Sequence, residues 1–145
     1  MLFRSIYEPR RSDNEGRSAA LAREMLAGVV PADVLGRIVR MIEATGGHLI
    51  PPGLPPDEAA DMAVFLDMDL SILGAPDADF DAYEAGVRYE YRDVPEAAFR
   101  AGRAAILEGF LAREAIYYSD WGKARFDAPA RLNLARSISQ LRQGG

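Results

Sequence analysis

Two aspartates inside an apolar helical run, Phe65-Leu66-Asp67-Met68-Asp69-Leu70-Ser71-Ile72-Leu73-Gly74, are the residues of this chain best placed to do chemistry. Aspartate is a weak helix former and is seldom buried unless it is paired or bound to a metal. Wound at about 100° per residue, Met62, Leu66, Leu70 and Leu73 share one face, with Phe65 and Ile72 on its shoulder. Asp69 falls in the middle of that face, whereas Asp67 points well away from it. A carboxylate aimed at a core needs a compensating cation. Asp69 is therefore the best single clue to chemistry, as a paired or a metal-bound carboxylate, and Asp67 is expected to be solvated or helix-bridging. The competing reading pairs Asp69 with an arginine such as Arg88 or Arg103 inside a bundle.

His48 is the single histidine of the chain. It follows a double glycine in a proline-rich loop, and histidine is the commonest metal ligand. An exposed loop histidine would explain it equally well. Arg88, Arg103 and Arg131 could recognise an oxyanion through the planar guanidinium, although arginines on helices are more often solvated or salt-bridged to neighbours. Tyr83, Tyr89, Tyr91, Tyr117, Tyr118 and Trp121 are spaced for helix packing, not as a stacking platform.

The elements that must position these groups are all helical. Ser12-Asp13-Asn14-Glu15 reads as a capping box, with Ser12 as N-cap and Glu15 reaching back. The first helix then carries Ala19, Leu21, Ala22, Met25 and Leu26, and ends near Gly28. Pro31 opens a second helix with an apolar face of Val34, Leu35, Ile38, Val39, Met41 and Ile42, and Gly46-Gly47 stops it. The loop from His48 through Pro51-Pro52-Gly53 to Pro55-Pro56 leads into a third helix running to Leu73. Asp57 and Glu58 complement the dipole in its first turn. A fourth helix is expected over about Asp79 to Arg92, a fifth from about Pro95 to Arg113, and a last from about Asp127 to Leu141. No strand ladder, repeat or low-complexity linker is visible. The expectation is one all-α domain over residues 1–145, a bundle of about six helices.

Composition narrows the function. At 145 residues the chain fits one domain with a sizeable core. A net charge of −5 with scattered basic residues argues against a nucleic-acid binder that uses a basic face. Cysteine is absent, which removes disulfides, thiolate catalysis and cysteine-ligated zinc. No apolar run approaches the ~18 residues of a membrane span, and the N-terminus lacks a signal-peptide core. A cytoplasmic protein without a membrane partner is expected. There is no glycine-rich phosphate loop, no serine-centred elbow and no histidine for a triad.

Several segments together resemble the metal-dependent phosphohydrolases of the HD superfamily. They are Tyr7-Glu8-Pro9, Ser12-Asp13-Asn14-Glu15 with Ser18-Ala19, and Ala44-Thr45-Gly46-Gly47-His48. The run Phe65 to Ala75 is the most specific. Tyr83, Val87-Arg88, Glu90-Tyr91, Gly102-Arg103-Ala104-Ala105-Ile106-Leu107, Ile116-Tyr117, Ala130-Arg131 and Asn133-Leu134 extend the likeness over nearly the whole chain. In that family an early histidine, an adjacent histidine-aspartate pair and a later aspartate hold a divalent metal. The metal activates water against a phosphate ester or anhydride.

The resemblance implies Asp69 as the later metal ligand, with Asp67 as runner-up, His48 as a second-metal or phosphate contact, and Glu15 as a catalytic group orienting water or contacting substrate. It implies Asn14, Arg88 and Arg103 as contacts to a small phosphorylated or nucleotide-like substrate. The capping box accounts for Asn14 and Glu15 without chemistry. The chain departs from the family where the histidine-aspartate pair should stand, since Leu2-Phe3-Arg4-Ser5-Ile6 precedes Tyr7. The expectation is an N-terminally shortened member, inactive for want of metal ligands, with manganese, magnesium, iron and nickel undistinguished and the chain itself metal-poor. The alternative is a non-catalytic helical module that dimerises through apolar surface including residues 1–6.

Overall fold

The computed structural model describes residues 8 and 11–143 and is all-helical, with no strand among them. Residues 1–6, expected to include a docking surface, lie outside the described residues. Six helices of thirteen or more residues carry the architecture: α1 Asn14–Leu26, α2 Ala32–Ala44, α3 Pro56–Asp69, α4 Asp77–Glu90, α5 Glu96–Leu111 and α7 Ala128–Gln143. A single helical turn, α6 (Asp120–Gly122), runs into a π-helical segment, Lys123–Asp127, that leads directly into α7.

Proline sets most of the starts. Pro31, Pro76 and Pro95 are the N-caps of α2, α4 and α5, each with φ between −55° and −52°, and Pro56 opens α3. The fixed proline φ suits a helix entry, where the missing N–H has no partner to lose. The expected capping box is corrected by one residue, from Ser12 to Asp13. Asp13 is the N-cap of α1 with no side-chain hydrogen bond at the cap, and its carboxylate pairs instead with Arg11 at 2.8 Å.

The chain divides into two compact units, Met1–Asp69 and Leu70–Gly145. In the first, α2 packs against both α1 and α3. Met62 and Leu66 of α3 are fully buried, as the helical wheel requires. Glu58 lies on that same face and is buried too, with Arg40 Nε donating to it at 2.5 Å and Arg37 at 3.8 Å.

In the second unit α7 packs on α5 and on the 3-10 turn Ser71–Gly74. Leu70, Leu73, Phe80, Leu107, Ile116, Tyr117, Ala130 and Leu134 form its core. Tyr117 donates its hydroxyl to the Leu70 carbonyl at 2.9 Å, so its polar tip is satisfied inside that core. The third helix ends at Asp69, short of the expected Leu73, because the backbone tightens into the 3-10 turn.

Candidate functional site

The site is built on two helix ends of the first unit. At the end of α2 the last carbonyls are satisfied by the turn that follows. Thr45 donates to Ile42 O through both its amide (3.2 Å) and its hydroxyl (2.6 Å), Gly46 N donates to Glu43 O at 3.2 Å, and His48 N to Ala44 O at 2.9 Å. That turn carries His48 into the interior, where it is 5% exposed. Its Nε2 meets Oδ2 of Asp69, the last residue of α3, in a short buried hydrogen bond.

The structure thus brings together two of the sequence-derived candidates that lie 21 positions apart. Asp69 is buried, as the wheel requires, and it meets an imidazole, whereas Arg88 and Arg103 bond elsewhere. Histidine 48 is correspondingly not an exposed loop residue. Burial pushes the Asp69 carboxyl upward, while the hydrogen bond and charge of His48 are among the influences pulling it down, and the net is below the ordinary aspartate value.

The sign of the pH effect follows. A folded-state value below the unfolded one, near 3.9, contributes stability that is complete above that pH and is lost as pH falls through the lowered folded value. Urea midpoints of the wild type, followed from pH 6 toward pH 3, are expected to fall more steeply than those of Asp69→Asn. Parallel curves would show that Asp69 does not carry the acid sensitivity.

Asp67 corrects the wheel argument. It is 1% exposed, as inaccessible as Asp69, because the end of α3 is covered on more than one side. Glu15 lies beside the turn that bears His48: a Cβ added to Gly46 would stand 3.3 Å from its Cγ. Asn14 is buried and does structural work. Its Oδ1 accepts from Glu8 N at 3.0 Å, and its Nδ2 donates to Glu8 O and Arg11 O at 2.8 and 3.2 Å.

The expected substrate arginines are engaged within the second unit. Arg88 donates to the carbonyls of Tyr91 (2.7 Å) and Val94 (3.2 Å), covering the end of α4, and pairs with Glu96. Arg103 forms a two-pronged pair with Glu84. Arg131 binds Asp127 at 2.9 Å and reaches the carbonyls of Leu111, Arg113 and Glu114 at the end of α5. Their planar forks satisfy helix-terminal carbonyls and carboxylates of the fold.

Sequence reasoning missed Glu58 as a buried charge, although its place four and eight residues before Met62 and Leu66 was a signal. Among the described residues no group of three or more His, Asp or Glu side chains is arranged to hold a metal ion. An imidazole and a carboxylate together offer two donors of the kind that bind zinc, manganese or iron. A catalytic metal takes about three protein ligands. No protein-family model matches the chain, and no curated protein or solved structure does.

Proposed function

We propose that this chain is an HD-superfamily-like helical protein in which His48 and Asp69 form a divalent-metal half-site. The associated chemistry is hydrolysis of a phosphate ester or anhydride of a small or nucleotide-like substrate. The chain by itself is proposed not to turn such a substrate over. The observation that carries the reading is the buried contact between the only histidine and the aspartate of the Phe65–Gly74 run. Charged and ionisable groups are taken out of water when they are paired or hold an ion. Two donors fall short of the ligand number a catalytic ion requires, which is why turnover is not expected. A cytoplasmic location goes with this reading; no described helix is long and apolar enough to cross a membrane.

The second reading is a non-catalytic helical interaction module acting as a homodimer, in which the buried contact of His48 with Asp69 serves the fold alone. In that reading the imidazole and carboxylate satisfy each other inside the unit, with no ion required.

Thermal unfolding with and without excess Mn²⁺, on wild type and Asp69→Ala, tests the proposal. A rise in melting temperature with the ion, abolished by the substitution, is expected of a half-site, since a ligand that binds only the native state stabilises it. No response to Mn²⁺, Mg²⁺, Fe²⁺ or Ni²⁺, together with a metal-independent dimer on size exclusion, would replace the first reading with the second.

A further inference from the structure

The second unit carries, apart from its core, an open groove of about 410 Å³. One wall is the chain from Gly74 to Asp77, where the 3-10 turn gives way to α4. The other is the start of α7, with Ala128, Pro129, Leu132 and Asn133. The volume lies in the range of small-molecule sites, roughly 300–1,000 Å³. The two walls are pinned to each other. Asn133 is buried, and its Nδ2 donates to the carbonyls of Leu73 and Ala75, both at 2.9 Å. Its Oδ1 accepts from Arg136 at 3.2 Å, so the amide is engaged at both ends. Behind the turn, a Cβ on Gly74 would stand 2.7 Å from the Phe126 carbonyl oxygen, which leaves the backbones no room to shift together. A groove fixed in this way loses little freedom when a ligand enters it.

The chemistry of the lining is one-sided. Ala75, Pro76, Ala128, Pro129 and Leu132 are apolar, and neither proline has an N–H to donate. The Asn133 amide is taken up by the walls. Asp77 is the one charged group of the lining, and its side chain is 84% exposed. The guanidinium of Arg136 stands 3.9 Å from it and is engaged more closely by Asp81, at 2.7 Å. The N-terminal end of α4 carries about half a positive charge, which opposes a cation here. Asp77 and Asp79, both in that first turn, outweigh it with two full negative charges. A ligand complementary to this lining is apolar in its body and positive at one end.

We propose that this groove binds a small organic cation, with an ammonium group beside the Asp77 carboxylate and an apolar body between the walls that carry Pro76 and Pro129. The groove lies wholly within the unit Leu70–Gly145, so the proposal stands apart from the half-site of the first unit and is tested without metal. Burial of the apolar body supplies the attraction common to any ligand of that shape. The carboxylate supplies the choice of charge. An ion pair as exposed as this one contributes modestly, so a preference of about fivefold for the cation over a neutral analogue is expected.

Three probes with one apolar body read the proposal on the full chain labelled with ¹⁵N: 2-phenylethylammonium, 2-phenylethanol and 3-phenylpropionate. The ammonium is expected to move the amide resonances of Ala75, Asp77, Ala128 and Leu132 saturably, at about a fifth of the concentration that the alcohol needs, with the carboxylate weakest. Asp77→Asn, an exposed change that leaves the walls intact, is expected to bring the ammonium and the alcohol level. Ala128→Trp, which fills the groove from its outer wall, is expected to abolish the response to both. Shifts that are absent or scattered over the chain overturn the proposal. So does equal or tighter binding of the alcohol or the carboxylate by wild type, or an ammonium preference that survives Asp77→Asn.

Discussion

Alanine in place of Gly74 is expected to destabilise the second unit by about 3 kcal/mol, the upper end of what overpacking costs. A Cβ there would lie 2.7 Å from the Phe126 carbonyl oxygen, 2.8 Å from its Cβ and 2.9 Å from its Cα. Two of those three atoms are backbone, so no side-chain rotation relieves the clash. Phe126 is itself held by its neighbours, with its ring 5.5 Å from that of Tyr117 and 5.3 Å from that of Trp121. It also sits in the π-helical segment, whose extra residue per turn alters where its side chains fall relative to α7. Either the 3-10 turn or the π-helix must move, and both border the core around Leu73 and Leu134. Chemical denaturation of Gly74→Ala checks this. A loss below about 1 kcal/mol would show that the approach of the two backbones is loose.

Leucine in place of His48 is expected to cost the first unit about 3 kcal/mol, because it removes one partner of a buried pair and leaves a carboxylate with 2% side-chain exposure. The gain from an apolar side chain at an already buried position is smaller than that penalty. The double substitution His48→Leu with Asp69→Leu is expected to recover most of the loss, since apolar residues that replace a whole buried pair are often neutral or stabilising. The comparison also separates two meanings of the pair. If the double variant is as stable as wild type, the pair is retained for something other than folding, in accord with a ligand-binding role. A double variant no better than His48→Leu alone would make the pair a structural element of the first unit. Urea unfolding of the three variants at neutral pH supplies the numbers.

The order of the helices was legible because the chain punctuates itself locally. Proline at residues 31, 56 and 95 marks helix starts through its fixed φ, and glycine near residues 28 and 46 marks ends, whereas Pro76 reads as the close of the third helix and is in fact the N-cap of α4, two residues ahead of the expected start at Asp79. The end of α3 and the π-helical segment ahead of α7 were less legible. Phe65 to Gly74 keeps a helical pattern of apolar residues across the change from α-helix to 3-10 turn, and the π-segment before α7 carries no distinctive residue type.

For the site, the burial of Asp69 could be read from the period of one helix, because Met62, Leu66 and Asp69 share a face whatever packs against it. The burial of Asp67 and of Glu58 could not be settled in that way. A wheel reports which residues share a face, but not how many faces the rest of the unit covers.

What the sequence determined alone is therefore whatever depends on near neighbours: an all-helical chain, its proline-marked entries, one histidine and a carboxylate on an apolar face. Only the tertiary structure decided that His48 turns inward on a left-handed backbone and meets Asp69, 21 positions away, across two helix ends. It likewise decided that Arg88, Arg103 and Arg131 serve helix ends and carboxylates of the second unit. Periodicity governs residues three or four apart. The partner of a buried charge is chosen by which element folds back against it, and that choice belongs to the packed chain.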